Sequence, residues 1–130
     1  PRPAEAPTLR ALQATLPEPA PELLDAALGG GPADVLVVTT PDADAPVGYA
    51  LLVPGAAVYL AELAVAPAHR GEGHGPALLS AVCERADEVR TVARATDERA
   101  LSFYRRHGFA VAERLPDRFE SGDGLLLRRP

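Results

Sequence analysis

Hydrophobic and polar positions follow two different periods along this chain. A helical period comes first, and a strand period begins near residue 35. Between residues 8 and 16 leucines recur at helical spacing, and Thr8 is placed to cap that helix. A second short helix is predicted over 22–28, ended by the glycine run that follows. Residues 1–7 are rich in proline, so we predict an extended or disordered lead-in.

From residue 35 onward the pattern becomes that of β-strands. Three segments rich in β-branched and aliphatic residues, 35–40, 47–53 and 57–65, are separated by turn residues. Strands that follow one another through short connections usually pair as neighbours. We therefore predict a three-stranded antiparallel meander.

The remaining residues alternate between helical and strand patterns. The predicted elements are a helix from about 76 to 88, a strand over 89–95, a helix over 98–107 and a hairpin of strands 109–115 and 124–129 around a polar loop over 116–123. Asp97 is the predicted N-cap and Gly108 the predicted C′ residue of the second of these helices. The order ααβββαβαββ predicts an α/β (α+β) protein, with a mixed sheet of about six strands flanked by about four helices.

Composition and charge exclude several classes of protein. A chain of 130 residues fits a single domain, here 1–130. We expect no membrane segment, because no apolar run approaches the roughly 20 residues that a span needs, and no signal-peptide pattern is present. The net charge of −5 argues against a general nucleic-acid binder. The single cysteine, Cys83, excludes an internal disulfide and fits a reducing compartment, so we expect a cytoplasmic protein. A homodimer remains possible.

The turn from Arg70 to Gly75 carries the most informative chemistry. Its three alternating glycines let backbone N–H groups come close to an anion, and the helix that follows adds unpaired N–H groups and a positive dipole end. A strand, this turn and a helix together predict a pyrophosphate site. On the turn alone, a loop that only reverses the chain remains the alternative. No Gly-Lys-Ser/Thr follows, which excludes a Walker A loop.

Two motifs together resemble the acyl-CoA site of the GNAT superfamily of N-acetyltransferases. That family carries Arg/Gln-x-x-Gly-x-Gly/Ala after a strand ending in Val-x-Pro, and here Arg70-Gly-Glu-Gly-His-Gly75 follows Val65-Ala-Pro67. A later family helix reads Ala-x-x-Phe/Leu-Tyr-x-x-x-Gly-Phe, matched by Ala100-Leu-Ser-Phe-Tyr-Arg-Arg-His-Gly-Phe109. The resemblance covers roughly residues 35–130 and implies a GNAT fold and an enzyme that uses acetyl-CoA. The first strand that is usual in the family is not evident before the first helix.

The resemblance also implies which residues bind the cofactor. Arg70 and the amides of the turn would hold the pyrophosphate, and amides near Val65 would hold the thioester carbonyl and its developing oxyanion. A strand that splays from its parallel neighbour would leave room for the pantetheine arm. Asp97 stands where the family often has asparagine, and an ionised aspartate caps a helix but donates no hydrogen bond. The cofactor-binding set is Leu63, Ala64, Val65, Arg70, Gly71, Glu72, Gly73, His74, Gly75, Asp97, Ala100 and Tyr104.

Tyr104 and Glu62 are the candidate catalytic residues. In the family, the tyrosine that matches Tyr104 protonates the leaving thiolate, and an ordinary phenol, with a pKa of about 10, is protonated at neutral pH. The alternative is an aromatic side chain that only packs, which is the role expected of its neighbour Phe103. Glu62 is either a solvent-facing strand residue or the general base, direct or through water, that produces the neutral amine needed for attack.

We expect no metal site and no other nucleophile. His69 and His74 lie on the glycine turn, but no cysteine, second histidine or carboxylate stands at ligand spacing to complete a zinc site. His107 is interpreted as a cation at a helix C-terminus and Cys83 as a packing residue. The resemblance also implies that the hairpin loop over 115–124 covers the acceptor site, where its Asp117, Glu120 and Asp123 are expected to attract a cationic amine.

The predicted reaction is direct transfer of an acetyl group from acetyl-CoA to a primary amine in a ternary complex. The acceptor is a small molecule, an amino acid or a peptide or protein N-terminus, and the sequence does not choose among them. A non-catalytic acyl-CoA-binding or regulatory module of the same fold is the alternative. A third reading is an interaction domain that binds no CoA.

Overall fold

A computed structural model describes residues 1–42 and 44–130, and its elements follow the predicted order. Its helices are α1 (Ala6–Gln13), α2 (Pro21–Leu28), α3 (His74–Cys83) and α4 (Glu98–Arg106). Its strands are β1 (Asp34–Val38), β2 (Gly48–Val53), β3 (Val58–Val65), β4 (Val89–Arg94), β5 (Ala110–Phe119) and β6 (Gly122–Arg129). The predicted α/β class with a mixed six-stranded sheet is confirmed. Each helix described here is too short or too polar to span a bilayer.

The sheet has the strand order β1-β2-β3-β4-β6-β5. The first three strands form the predicted antiparallel meander, and α3 makes the crossover that places β4 parallel to β3. That parallel pairing involves only residues 58–60 with 89–91. Past this point the described parts of β3 and β4 share no pairing, so the two strands splay as predicted and open a cleft in the sheet.

A bulge in β3 decides which side of the sheet its residues face. In the β2–β3 register Leu51 pairs with Glu62 and Leu52 pairs with Leu60, so Ala61 is an extra residue on β3. Leu60, Leu63 and Val65 pack in or against the core cluster beneath α3 and α4, whereas Ala61 and Ala64 pack in or against the cluster beneath α1 and α2. The bulge thereby turns Glu62 toward the α1–α2 side of the sheet.

The N-terminal segment differs from its predicted form. Residues 1–7 were expected to be extended or disordered, but Pro3–Glu5 form a 3₁₀ turn and α1 begins at Ala6. A proline in the first turn of a helix needs no hydrogen-bond partner, and the Glu5 carboxylate accepts from the Arg2 amide at 2.6 Å. The helix also ends at Gln13, three positions before the last leucine of the predicted pattern.

Two further boundaries were wrong. The helix predicted to reach 87–88 ends at Cys83, because the chain must extend before Glu88, whose carbonyl accepts from the Val58 amide at 3.0 Å. The predicted polar loop over 116–123 is mostly strand, with only residues 120–121 between β5 and β6. Register shifts within the hairpin, with Asp117 at φ +53°, allow pairing to continue through the polar residues.

Candidate active site

The turn between β3 and α3 presents free backbone donors. Gly71 and Gly73 have φ values of +80° and +87°, a region that glycine enters without steric cost. Among the described residues, no acceptor is bonded to the N–H groups of 71–75, and α3 starts within the turn at His74. The Arg70 Nε donates to the Val65 carbonyl at 3.3 Å, which ties the turn to the end of β3. These donors suit an anion such as a pyrophosphate.

A cavity of about 660 Å³ lies against this turn, the end of β3 and α4. Its volume falls within the range of roughly 300–1,000 Å³ that is usual for ligand sites. The predicted cofactor residues that line it are Leu63, Ala64, Val65, Arg70, Gly71, Gly73, His74, Gly75, Asp97, Ala100 and Tyr104. Glu72 is the one member of the predicted set that does not line this cavity.

The edge of β3 faces the cleft with alternate amides. The Ala66 amide donates to the Val47 carbonyl at 2.7 Å, so this is a hydrogen-bonded pair of the antiparallel ladder. Pairs alternate along such a ladder, so the N–H of Val65 points away from β2, and so does that of Leu63. The amide of Ala64 points toward β2 instead. Two of the three predicted strand amides are therefore directed at the splayed side of the sheet.

Nine residues of the cavity wall were not predicted as site residues, and four of them lie on α4 or at its C-cap. Arg99, Phe103, Arg106 and His107 all line the cavity. Phe103 packs against the core cluster as expected, and its half-buried ring also lies 3.7 Å from where a Cβ on Gly75 would stand. Arg99, Phe103 and Arg106 are spaced by four and three residues along α4, so they lie on one face of the helix. That spacing can be seen in the sequence and could have identified them. The two arginines and Arg70 place positive charge at the cavity of a chain whose net charge is −5.

Tyr104 lies where this cavity meets a smaller one of about 120 Å³. The side chain is buried, and its ring packs edge-on against Phe109 and Phe103 at centroid distances of 5.3 and 5.2 Å. Burial raises the pKa of the phenol to about 12, and the Asp97 charge adds to the shift. A hydrogen bond with Thr91 works in the opposite direction. The phenol is therefore protonated throughout the physiological pH range.

Glu62 lines the smaller cavity and is buried, so its interpretation as a solvent-facing residue was wrong. Its carboxylate accepts from the Gln13 Nε2 at 2.9 and 3.1 Å, the Ala20 amide at 2.6 Å and the Tyr49 hydroxyl at 2.9 Å. Burial and this adjacent carboxylate raise the pKa of Tyr49 far above its usual value. A carboxylate has roughly four lone-pair directions, and these four hydrogen bonds use all of them, two on each oxygen.

The smaller cavity lies between β3, the α1–α2 connection and the β5–β6 hairpin. Leu16, Pro17 and Glu18 line it on one side and Phe119 on the other. The Ser121 hydroxyl donates to the Glu18 carboxylate at 2.7 Å and joins these two segments. The hairpin therefore borders this cavity, as was expected of the loop that covers the acceptor.

The acidic side chains of the hairpin lie outside the smaller cavity, so their expected attraction for a cationic amine stays a prediction. Asp117, Glu120 and Asp123 are absent from the lining of the smaller cavity. Asp123 accepts instead from the guanidinium of Arg114 and from the Asp117 amide, and these contacts lower the pKa of its carboxyl group. Arg94 lines the same cavity, and its buried Nε has no acceptor among the residues described.

The two histidines of the turn share one carboxylate. Nδ1 of His69 and Nε2 of His74 each lie 3.0 Å from the same Glu72 oxygen. Hydrogen bonds from both rings lower the pKa of Glu72. The expectation that no carboxylate stands at ligand spacing was wrong, because positive φ angles at Gly71 and Gly73 fold the turn back on itself. His107 contacts the Phe103 carbonyl through Nδ1 at 2.7 Å and lies apart from this group.

Comparison with known proteins supports one family. A family model described as an acetyltransferase (GNAT) domain matches residues 32–111. In fold, the chain is similar to Arabidopsis thaliana Naa50 in complex with the bisubstrate analogue CoA-Ac-MVNAL, with a TM-score of 0.83, 20% identity and coverage of 100% of this chain and 95% of that one. It is also similar to the ribosomal-protein-S18-alanine N-acetyltransferase from Escherichia coli (TM-score 0.83, 18% identity, 100% and 90% covered).

A GNAT family acetyltransferase from Elizabethkingia anophelis with acetyl-CoA bound gives a TM-score of 0.80 at 19% identity, with 99% of this chain and 90% of that chain covered. No curated protein sequence matches the chain. At these identities the structural likenesses establish the fold, and the match to the family model extends over more than half of the residues.

Proposed function

This chain belongs to the GNAT acetyltransferases, a family whose acyl donor is acetyl-CoA, and from that premise we propose that it acetylates the free amino terminus of a peptide or protein. The reaction is direct attack of the amine in a ternary complex. One observation carries this proposal: the buried, protonated Tyr104 lies on the wall shared by the cofactor cavity and the smaller cavity beside Glu62.

The cofactor cavity has donors suited to each part of acetyl-CoA. The free amides of residues 71–75, with Arg70, hold the pyrophosphate, and Arg99 and Arg106 add positive charge at the same cavity. The amides of Leu63 and Val65 face the cleft and stabilise the thioester oxygen as negative charge develops on it. The splay between β3 and β4 accommodates the pantetheine arm.

The chemical step needs one proton acceptor and one proton donor. Acetyl-CoA supplies a thioester, whose carbonyl carbon forms a bond to the amine nitrogen while its C–S bond breaks. Tyr104 donates its phenolic proton to the departing thiolate and is reprotonated by the second proton that the attacking nitrogen loses as the amide forms. Glu62, which lines the smaller cavity, takes the proton of the acceptor ammonium through a water molecule there that replaces one of its two contacts with the Gln13 amide.

The size of the smaller cavity favours a peptide terminus over a bulky small molecule. Its volume of about 120 Å³ is well below the roughly 300 Å³ at which ordinary ligand sites begin. It accommodates an amine with a small side chain, and the rest of the acceptor must lie outside, along the hairpin and the α1–α2 connection. The similar structures include an S18-alanine N-acetyltransferase and a complex with the analogue CoA-Ac-MVNAL, which agrees with this acceptor class.

The decisive experiment is thiol release from acetyl-CoA with a matched set of acceptors. The set contains short peptides with a free amino terminus, the same peptides with a blocked terminus and one lysine, free amino acids and a polyamine. We expect turnover with the free-terminus peptides, highest where the first residue is small. Faster turnover with the blocked lysine peptides or the polyamine would reject the proposed acceptor.

The non-catalytic alternative is separated in the same samples by thermal unfolding. A ligand that binds the native state stabilises it by RT ln(1 + [L]/Kd). An enzyme and a binding module would both show this shift with acetyl-CoA, but only an enzyme releases thiol in the presence of an acceptor. A shift without thiol release across the whole panel would favour the binding module, and no shift would reject both.

A further inference from the structure

The turn that carries the free amides also brings three metal-ligating side chains together. The ligand atoms of His69, Glu72 and His74 all lie within 4.8 Å of one another. The two imidazole nitrogens are each 3.0 Å from the same Glu72 oxygen. Their ring centroids are 6.3 Å apart with planes inclined by 62°, so the rings converge on the carboxylate from different directions.

The two nitrogen–oxygen separations approach those of a tetrahedral transition-metal centre. Zinc bonds to imidazole nitrogen at about 2.0–2.1 Å and to carboxylate oxygen at about 2.0–2.2 Å, which places neighbouring ligand atoms roughly 3.3–3.6 Å apart. Small rotations of the exposed side chains would lengthen the observed 3.0 Å contacts by a few tenths of an ångström, to the spacing of metal ligands. Two histidines and one carboxylate are also a known zinc ligand set that leaves a fourth position open.

The cluster is accessible from solvent and held by the fold. The side chains of His69, Glu72 and His74 are 34%, 49% and 15% exposed, so an ion can enter without unfolding. His74 is the first residue of α3, and His69 ends the 3₁₀ turn Pro67–His69. The backbone therefore fixes both ends of the ligand set, and Glu72 lies between them.

We propose that His69, Glu72 and His74 form a binding site for a divalent transition-metal ion such as Zn²⁺, and that the bound ion strengthens the binding of acyl-CoA. Both histidines line the cofactor cavity, so an ion on them places positive charge beside the amides proposed to hold the pyrophosphate. The bound ion also fixes the glycine turn in its observed conformation, so the turn loses less conformational entropy when the cofactor binds. By linkage, the cofactor must tighten metal binding by the same factor.

Metal binding is tested first, without cofactor, on the untagged protein. Titration with Co²⁺ is followed by its visible absorption, and Zn²⁺ affinity is measured by competition. We expect a single saturable site without the sulfur charge-transfer absorption that a Cys83 thiolate would produce. The variants His69→Asn and His74→Gln keep a polar group near each ligand nitrogen and should weaken binding by about 100-fold or more, since even outer-shell partners contribute 10–100-fold.

His107→Asn is the matched control, because it removes the remaining histidine of the cavity and leaves the cluster intact. It should bind Co²⁺ as the wild type does. Absence of saturable binding, or equal binding by wild type and both cluster variants, would overturn the metal site and show that the histidines serve only as hydrogen-bond partners of Glu72. This test does not depend on the proposed reaction.

The coupling is tested by measuring the acetyl-CoA dissociation constant with saturating Zn²⁺ and with a chelator. We expect Zn²⁺ to lower that constant by about fivefold or more in the wild type. It should have no effect in His69→Asn. An unchanged or increased acetyl-CoA dissociation constant in zinc-loaded wild type would overturn the coupling. The Co²⁺ titration tests separately whether the metal site exists.

Discussion

Substitution of Tyr104 by phenylalanine isolates the proton that this residue is proposed to donate to the leaving thiolate. The tyrosine ring packs against Phe109 and Phe103, and phenylalanine retains these contacts. The change therefore removes one hydroxyl from the wall between the two cavities and leaves the packing in place. Loss of a positioned general acid typically costs a factor of about 10²–10⁴, which corresponds to about 2.7–5.4 kcal/mol in the activation barrier.

The assay is thiol release at saturating acetyl-CoA and acceptor, with the dissociation constant of acetyl-CoA measured in parallel. We expect kcat to fall by that factor and the dissociation constant to change little, because the contacts proposed to hold the cofactor come mainly from the turn, β3 and the two arginines of α4. Tyr104→Ala is the structural control, since loss of a buried ring costs about 3–5 kcal/mol of stability. A kcat for Tyr104→Phe within about twofold of wild type would refute the assignment.

The pH profile gives an independent check of the same residue. The pKa of Tyr104 is raised to about 12, so its protonated form persists as the pH rises through the range in which an ordinary phenol, with a pKa of about 10, would ionise. A wild-type kcat that rises as the acceptor amine deprotonates should show no decline by pH 10. A decline with a midpoint near 10 would contradict the buried, protonated phenol.

Four other substitutions test the surroundings of the site. Gly73→Ala places a side chain at φ +87° in open space, so it should lower the free energy of unfolding by about 1–2 kcal/mol and weaken acetyl-CoA binding, measured by denaturant titration and calorimetry. Gly75→Ala, whose Cβ would meet only an ordinary contact, should be neutral or stabilising by up to about 1 kcal/mol, and equal losses for both would contradict this account. Asp97→Asn should keep the α4 cap, which now accepts from the Ala100 amide at 3.1 Å, and tighten acetyl-CoA binding through an added donor. A fall of about 1 kcal/mol in the free energy of unfolding would show that the helix cap needs the negative charge of Asp97. Tyr49→Phe removes a buried donor to Glu62 and should destabilise the protein by about 1.5–3 kcal/mol in urea unfolding, whereas no change would mean that the network contributes little.

The site could be predicted where its chemistry is local in sequence. The glycine turn and the start of α3 lie within a few residues of each other, so spacing alone indicated a group of anion-binding amides. The N-cap at Asp97 and the positive φ of +91° at Gly108 were predicted correctly because both depend on the conformation of the helix ends.

Contacts between distant segments could not be predicted in this way. Glu62 meets Gln13, 49 positions away, and Tyr49, 13 positions away, only because a bulge at Ala61 turns the carboxylate toward α1. A side-chain period of two without that extra residue would place Glu62 on the face of Leu60, beneath α3. No local signal in the sequence marks the bulge.

The sequence by itself therefore determined the order of the elements, the antiparallel meander and the turn that offers amides to an anion. These features depend on periodicity, on glycine and on helix capping, which act over a few neighbouring residues. Only the tertiary structure decided that Tyr104 borders two cavities, that Glu62 is buried among three donors and that Glu72 lies between two histidines. Each of these depends on strand register, splay or the folding back of a turn, and packing across the whole chain fixes such geometry.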